Sequence, residues 1–214
     1  MRSYTKPPDS AIRRLCFGGS FNPIHHGHLI CARAVAEAAG FDEVVLIPSA
    51  LSPHKLQAND LAAAEHRLAM CRLAVEGDPA FAVDNVEVSR PGPSYTIETV
   101  RLLRKRGWDQ VFWLIGADMV SILPTWREPE ALLQEVQFVV MARPGWSFNW
   151  QSLPPPYRRL EANVVPAPLL EISSTIVRQR VAAGRSVRYL VPPTVEDYLD
   201  KTGLYRDTPA APMP

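Results

Sequence analysis

A short apolar run, two glycines and an amphipathic segment follow one another near the start of the chain. Residues 12–17 form the apolar run, Gly18 and Gly19 follow it, and apolar side chains then recur at helical spacing over residues 27–39 until Gly40. A strand that stops at a glycine turn and leads into a helix is the repeating unit of parallel α/β sheets. This unit therefore predicts that the chain folds around a parallel sheet.

Strands and helices alternate along the rest of the sequence. Uninterrupted apolar runs at 43–48, 111–115 and 136–141 are typical of strands covered on both faces, and shorter strands are predicted at 81–83 and 86–88. Helical spacing predicts helices over 62–75, 95–105, 173–183 and 194–201, and Ser94 is a candidate N-cap for the second of these. This order of elements predicts an open, mostly parallel α/β sheet.

Size and composition fit one globular domain. The 214 residues are 47% hydrophobic and contain no apolar run long enough to span a bilayer. We expect a single domain over residues 1–214, with its core from about 12 to 206 and frayed tails at both ends. The first residues lack the pattern of a secretory signal, which predicts a cytoplasmic protein. A net charge of +1 predicts no binding to nucleic acid or membrane.

The segment between the first strand and the first helix carries the strongest chemical signal, Gly19-Ser-Phe-Asn-Pro-Ile-His-His-Gly-His28. Glycine lets the backbone approach a ligand closely, and amides at a helix start point at bound phosphate oxygens. His25 and His28 lie three residues apart, so both rings can meet the same phosphates. This arrangement suits displacement at phosphorus, where positioned donors stabilise developing charge. The structural alternative is that the two histidines only cap the helix.

Other uses of these side chains are less well supported by the pattern. We expect His26 to point away from the phosphates and His66, inside a predicted helix, to be structural. Zinc binding is disfavoured because the motif lacks a His-Glu-x-x-His pattern and the three cysteines are widely spaced. The sequence therefore predicts no metal site built from protein side chains.

A second candidate anion site follows at Glu171-Ile-Ser-Ser-Thr-Ile-Val-Arg178. Ser173, Ser174 and Thr175 bring hydroxyls and amides to a helix start, and Arg178 adds a charged fork suited to phosphate. Capping of the helix would by itself explain the two serines.

In these two blocks the sequence closely resembles the bacterial nicotinate mononucleotide adenylyltransferases of the nucleotidyltransferase superfamily. The narrower resemblance rests on several further blocks, and the matching blocks run from about residue 12 to 206. These further blocks are Ser52-Pro-His-Lys55, Pro93-Ser-Tyr-Thr96, Ile115-Gly-Ala-Asp118, Pro124-Thr-Trp126, Ala142-Arg-Pro-Gly145 and Tyr189-Leu-Val-Pro192.

The resemblance implies a Rossmann-like sheet of the nucleotidyltransferase type, with helices on both faces. It also implies a reaction of NAD biosynthesis in which ATP and nicotinate mononucleotide give nicotinate adenine dinucleotide and pyrophosphate. The attack would be direct and in line, with no covalent enzyme intermediate and with Mg²⁺ held mainly by the ATP phosphates. It leaves open whether the protein is a homo-oligomer.

By the same resemblance, His25, His28 and Arg178 are the catalytic residues. The residues implied to bind ATP are Gly19, Ser20, Phe21, His28, Gly116, Asp118, Ile172, Ser173, Ser174 and Arg178. Those implied to bind nicotinate mononucleotide are Ser20, Asn22, His54, Lys55, Ser94, Tyr95, Thr96 and Trp126. Trp126 is expected to stack on the pyridine ring, with simple burial in the core as the alternative.

Two positions depart from the family pattern. Many relatives have Thr-Phe-Asp-Pro where this chain has Ser20-Phe-Asn-Pro23, so a carboxylate is replaced by the carboxamide of Asn22. Arg127 follows Trp126 where some relatives carry an aromatic residue. The charge of Arg127 either favours an acid substrate or faces solvent.

Competing functions remain at this point. The nearest are an adenylyltransferase that acts on nicotinamide mononucleotide or on both acceptors, and a phosphopantetheine adenylyltransferase. A catalytically silent nucleotide-binding module would be expected to have lost His28 or Arg178, and both are present. A class I tRNA synthetase fragment is disfavoured by the short chain and the lack of a basic face.

Overall fold

The structure is a computed structural model that describes residues 12–51, 53 and 60–206. Two residues predicted to contact the acceptor phosphate, His54 and Lys55, lie outside the described residues. The tails that were predicted to fray lie outside them too.

Six parallel strands form one open sheet in the order β3-β2-β1-β4-β5-β6. The strands are β1 (Arg14–Gly19), β2 (Glu43–Pro48), β3 (Phe81–Val83), β4 (Phe112–Gly116), β5 (Gln137–Ala142) and β6 (Val164–Pro166). β2 and β3 lie on one side of β1, and β4, β5 and β6 follow on its other side. The strand order therefore reverses between β1 and β4, where ligands bind in sheets of this kind.

Helices cover both faces of the sheet, as predicted. One face carries α1 (His26–Ala39), α2 (Ala64–Ala74), α6 (Ser174–Ala182) and α7 (Pro193–Thr202), and the other carries α3 (Thr96–Lys105), α4 (Pro129–Glu135) and the short α5 (Pro155–Arg158). No helix in the described part of the chain is long and apolar enough to cross a membrane.

Alternation along the strands supplies the two hydrophobic cores. In β1, Leu15 and Phe17 pack beneath α1 and α2, whereas Cys16 faces the opposite core beside Trp113 of β4. Side chains on a strand point alternately to its two faces, so an uninterrupted apolar run is needed to fill both cores. The buried runs in β2, β4 and β5 follow the same rule.

The first strand extends further than the sequence predicts. Residues 12–17 were expected to end at Gly18, but both glycines belong to β1. A Cβ on Gly18 would lie 2.5 Å from Cζ2 of Trp113, so only glycine lets the indole of the neighbouring strand pack there. Gly18 thus serves strand packing rather than a turn.

Three smaller predictions were wrong or incomplete. Residues 86–88 form turns rather than a strand, because Glu87 is buried against Thr99 instead of pairing with a strand. Tyr95, not Ser94, is the N-cap residue of α3, and no side chain caps that helix. The short edge strand β6 was not predicted.

A buried arginine links two connecting segments. Arg67 of α2 is fully buried, and its guanidinium donates to the carbonyls of Ser20 at 2.7 Å, Ala50 at 2.8 Å and Ala62 at 2.9 Å. Ser20 lies in the segment between β1 and α1, and Ala50 and Ala62 lie near the two ends of the segment between β2 and α2. One side chain therefore fixes the backbone just after β1 and just after β2.

We expect Arg67→Met to lower the free energy of unfolding by about 3 kcal/mol, because buried carbonyls that lose their donors keep their desolvation cost. Guanidinium chloride denaturation at neutral pH measures the change. Arg72→Met is the matched control, since Arg72 lies exposed on the same helix. Equal losses for the two variants would contradict this role of Arg67.

Candidate active site

A cleft of about 490 Å³ opens at the carboxyl ends of β1 and β4, where the strand order reverses. Ten of the residues predicted to bind substrate line it together, although they come from three distant parts of the sequence. These are Gly19, Ser20, Phe21, His28, Ser94, Tyr95, Thr96, Gly116, Asp118 and Trp126. The cleft is therefore the candidate active site.

His25 and His28 cap helix α1 reciprocally. Nδ1 of His25 accepts from the backbone N–H of His28, and Nδ1 of His28 accepts from the backbone N–H of His25, each at 3.3 Å. The rings stack with their centroids 3.7 Å apart. Gly27 permits this arrangement, because a Cβ there would lie 3.0 Å from Nδ1 of His25.

This capping determines which ring nitrogen carries the proton. A ring whose Nδ1 accepts a hydrogen bond carries its proton on Nε2 when it is neutral. Burial, aided by the nearby charge of His26, lowers the pKa of His25 to about 4. His25 is therefore a neutral ring near pH 7, and its Nε2–H is a donor rather than a cation. Capping and phosphate binding are not alternatives here, because they use different nitrogens.

The ring of His28 is held from a second side by Phe21. Their centroids are 5.1 Å apart in an edge-on arrangement, and the buried Phe21 also packs edge-on against Phe17. Phe21 has φ +45°, an uncommon backbone conformation for a residue other than glycine. Such local strain often occurs at functional sites, and here it turns the segment after β1 towards α1.

Gly116 and Asp118 form the edge of the cleft at the end of β4. A Cβ on Gly116 would lie 2.4 Å from Oδ1 of Asp118, so the bare Cα leaves the space that this carboxylate occupies. Asp118 is exposed and lines the cleft. A carboxylate held in this way can accept hydrogen bonds from ligand hydroxyls.

The opposite end of the cleft is formed by Trp126 and the start of α3. One side of the Trp126 ring meets Phe138 edge-on, with centroids 6.5 Å apart, and the residue also lines the cleft. The first amides of a helix have no partner within the helix, and α3 has no side-chain cap. A flat apolar face and open amides thus lie at the same end of the cleft.

Glu87 is a buried carboxyl that the sequence did not single out. It accepts a hydrogen bond of 2.6 Å from the hydroxyl of Thr99 and lines the cleft beside Ser94. Burial raises its pKa, while hydrogen bonds from Thr99 and Ser94 act against the rise. Ser94 Oγ in turn accepts from the amide of Ala50 at 2.9 Å. The Ser94 hydroxyl is therefore committed to the protein, and the Ser94 amide donates to the carbonyl of Leu51 at 2.8 Å.

Arg178 lies beside the cleft rather than in its lining. Its Nη1 donates to the carbonyl of Asn22 at 2.9 Å, and its Nη2 forms an ion pair with Asp60. Its Nε is buried without a partner among the described residues. The guanidinium is held next to the segment after β1, with its charge balanced by a carboxylate.

Asn22 faces away from the cleft, in contrast to its predicted contact with substrate. Its Nδ2 donates to the carbonyl of Asp60 at 2.8 Å, and its Oδ1 accepts from the amide of Ala62 at 3.0 Å and from the hydroxyl of Tyr205 at 2.8 Å. These bonds occupy both acceptor positions of its carbonyl oxygen. The carboxamide anchors the surrounding segments instead.

The two serines at the start of α6 form hydrogen bonds within the protein. Ser173 is the N-cap and accepts from the amide of Ile176 at 3.2 Å, whereas Ser174 donates to the carbonyl of Pro23 at 2.8 Å. The carbonyl of Ile172 approaches Gly27, where a Cβ would lie 3.2 Å from it. The second motif thus packs onto the first, and the Ile176 amide in its first turn is already bonded to Ser173.

Sequence reasoning missed Arg67, Asp60 and Tyr205 as well as Glu87. For Arg67 a signal existed, because it lies four residues before the buried Cys71 and so on the apolar face of α2. Nothing local distinguishes Asp60 or Tyr205, whose partners are distant in sequence. Within the described ranges, no group of three or more His, Cys, Asp or Glu side chains is placed to hold a metal ion.

The comparisons with known proteins agree on the family to which the chain is similar. The model of the Cytidylyltransferase-like family matches residues 16–180. A probable nicotinate-nucleotide adenylyltransferase of Salinibacter ruber is 47% identical over 193 residues, which cover 90% of this chain and 97% of that protein. The nicotinate-nucleotide adenylyltransferase of Bacillus subtilis is 42% identical over 190 residues, which cover 88% and 96%.

A solved structure confirms the fold. The nicotinic acid mononucleotide adenylyltransferase of Plasmodium falciparum, in complex with NaAD, superposes with a TM-score of 0.70 at 17% identity. The match covers 91% of this chain and 98% of that one. The predicted nucleotidyltransferase type of α/β sheet is therefore correct.

The lowered pKa of His25 predicts a pH-dependent stability. The unfolded chain binds a proton at His25 below about pH 6.5, and the folded chain does so only near pH 4. Stability is therefore lost as pH falls through this window, by up to about 3 kcal/mol. We expect His25→Asn, which keeps a capping acceptor but does not titrate, to show a flatter pH dependence of the unfolding free energy.

Guanidinium chloride denaturation between pH 7 and pH 4.5 measures this slope. His66→Asn is the control, because His66 lies on α2 and bonds to Tyr198 instead of the motif. A slope for His25→Asn equal to that of the parent chain would contradict the assignment of a neutral His25.

Proposed function

Because the chain belongs to the Cytidylyltransferase-like family and, within it, to the nicotinate-nucleotide adenylyltransferases, we propose that it transfers the adenylyl group of ATP to nicotinate mononucleotide. The products are nicotinate adenine dinucleotide and pyrophosphate, in a step of NAD biosynthesis. The observation that carries the proposal is the cleft in which His28, one of the capped histidine pair, and Asp118 lie together with Trp126 and the start of α3.

ATP occupies the part of the cleft between β1 and β4. Asp118 accepts from the ribose hydroxyls, and Gly19, Ser20 and Phe21 bring backbone close to the triphosphate. The start of α1 adds the partial positive charge of a helix N-terminus. Gly116 contributes by leaving room for the Asp118 carboxylate.

The two histidines donate to the phosphate oxygens through Nε2–H. Their Nδ1 atoms are committed to backbone amides, so Nε2 is the nitrogen with which each neutral ring can donate. Donors that are fixed before the reaction need not reorganise in order to stabilise the charge that develops in the transition state. A neutral His25 fits this role, because donation requires no proton transfer.

Arg178 and the start of α6 bind the leaving pyrophosphate. The charge of Arg178 is balanced by Asp60. The phosphates of ATP carry more negative charge than one carboxylate, so they compete for the guanidinium. Its buried Nε offers a further donor on this side. The first amides of Ser174 and Thr175 complete the anion site.

The acceptor lies at the other end of the cleft. Its pyridine ring stacks on Trp126, and its carboxylate is received by the amides at Tyr95 and Thr96, since the Ser94 hydroxyl is committed elsewhere. Its phosphate lies near Ser20, with His54 and Lys55 proposed as further contacts. Asn22 supports this phosphate site only through the segments that it anchors.

The transfer itself needs no nucleophile from the protein. An oxygen of the acceptor phosphate, already ionised, attacks the α-phosphorus of ATP in line. A new P–O bond forms as the bond to the β-phosphate oxygen breaks, and its electrons leave with pyrophosphate. The residues around the cleft align the reactants and stabilise charge, which by itself can supply much of the acceleration.

Nucleotidyltransferases use a divalent metal ion together with ATP, and we propose Mg²⁺. The fit is through the nucleotide, because Mg²⁺ usually keeps several waters and binds substrate phosphates with few protein carboxylates. Bound there, it neutralises phosphate charge. The protein residues of the cleft supply the donors and the stacking surface.

Pyrophosphate release tests the proposed function. The purified protein is assayed with ATP and, in parallel, with nicotinate mononucleotide or nicotinamide mononucleotide. We expect release with the acid and a preference for it over the amide. No release with either acceptor would refute the adenylyl transfer, and equal rates would refute only the preference.

We expect His28→Ala to lower kcat by about 10²- to 10³-fold, because it removes a positioned donor in the transition state. Steady-state pyrophosphate release at saturating substrates measures the loss. His26→Ala is the matched control, since His26 lies in the same motif but lines a separate groove beside Arg33. Full turnover by His28→Ala would remove His28 from the catalytic residues.

A further inference from the structure

Resting on the proposed function, we infer that Arg127 is a specificity-determining residue that favours an acid acceptor over the corresponding amide. Arg127 lines the acceptor end of the cleft beside Trp126, Tyr95 and Thr96.

The guanidinium of Arg127 is held against the start of α3. Its central carbon lies 4.5 Å from the centroid of the Tyr95 ring, and its Nη1 lies 3.3 Å from Oε1 of Glu98. Tyr95 is the N-cap residue of α3 and Glu98 lies in its first turn. Arg127 therefore borders the amides that are proposed to receive the acceptor carboxylate.

Two arginines share one carboxylate at the start of α3. The partly buried Glu98 pairs with Arg127 and also with Arg90, whose Nη1 lies 2.5 Å from Oε2 of Glu98 and whose Nη2 donates to the carbonyl of Tyr95 at 3.3 Å. The carboxylate of Glu128, next in sequence to Arg127, pairs with Arg101 instead. Arg127 is therefore only partly neutralised by Glu98 and can attract a ligand carboxylate to this end of the cleft.

The two acceptors differ by one negative charge at the same position on the pyridine ring. A guanidinium has five N–H donors, and the contact with Glu98 engages only one nitrogen of Arg127. The others can form charge-assisted hydrogen bonds with a carboxylate but gain much less from a neutral carboxamide. The side chain is half exposed, at 50%, so solvent limits the gain to a modest factor.

The test compares Arg127→Met, which keeps an apolar stem but removes the charge, with Arg127→Lys, which keeps the charge but loses the fork. kcat and KM are measured for both mononucleotides at saturating ATP. For Arg127→Met we expect KM for the acid to rise roughly 3- to 10-fold with kcat nearly unchanged, and KM for the amide to stay the same. Arg127→Lys should lie between Arg127→Met and the parent chain.

Arg106→Met is the matched control. Arg106 lies at the end of α3, opposite to the end that Arg127 contacts. Its side chain is 49% exposed, it pairs with Asp84 at 2.9 Å, and it does not line the cleft. We expect its acid-to-amide ratio to equal that of the parent chain.

Three outcomes would overturn the inference. An unchanged ratio in Arg127→Met, or an equal loss with both acceptors, would show that Arg127 only supports α3, and would leave the proposed function intact. A parent chain that turns over neither acceptor would overturn the inference together with the proposed function.

Discussion

The active-site segments depend on one buried charge. Arg67 enters the protein interior from α2 and replaces its water with three backbone carbonyls. A planar, delocalised guanidinium is well suited to this, because it donates in several fixed directions at once. The acceptors lie in the segments that follow β1 and β2, so the position of Ser20 at the cleft is set from inside the fold. The donors proposed to act in catalysis follow this segment, so their position is also set by the fold.

The two hydrogen bonds of the histidine pair cap α1 and also fix the tautomer of each ring. His25 and His28 satisfy amides that the start of α1 would otherwise leave open, and in doing so they fix which nitrogen of each neutral ring carries the proton. A helix that frayed at this end would lose both the ring orientation and the tautomer. The role proposed for the two rings thus depends on an ordered first turn of α1.

Short-range patterns predicted α1, α2, α3, α6 and α7, most strands and the two motifs, because alternation and helical spacing are local properties. β2 was predicted with its observed bounds, Glu43–Pro48. The alternation Val86-Glu87-Val88 gave a strand where the chain turns, because the valine pattern does not reveal that Glu87 bonds to Thr99 in the interior.

The residues of the candidate site show the same difference between local and distant partners. Ten residues that line the cleft were predicted from the motifs and the resemblance, but Glu87 was not. The contacts of Asn22 and Arg178 depend on Asp60 and Tyr205, which are distant in sequence. Gly18 is similar, since the indole that excludes a side chain there belongs to a strand far along the sequence. Such pairings follow from the sheet order and not from any local window.

The bond between Tyr205 and Asn22 also has a consequence for biosynthesis. The two residues are 183 positions apart, and Tyr205 is buried against the segment that it anchors. At translation rates of about 5 to 20 residues per second, roughly 10 to 40 s separate their synthesis. During that time the sheet can assemble in order from β1, but the segment after β1 lacks its last anchor. In the nascent chain, the sheet can therefore form before the segment after β1 in the candidate active site is fully anchored.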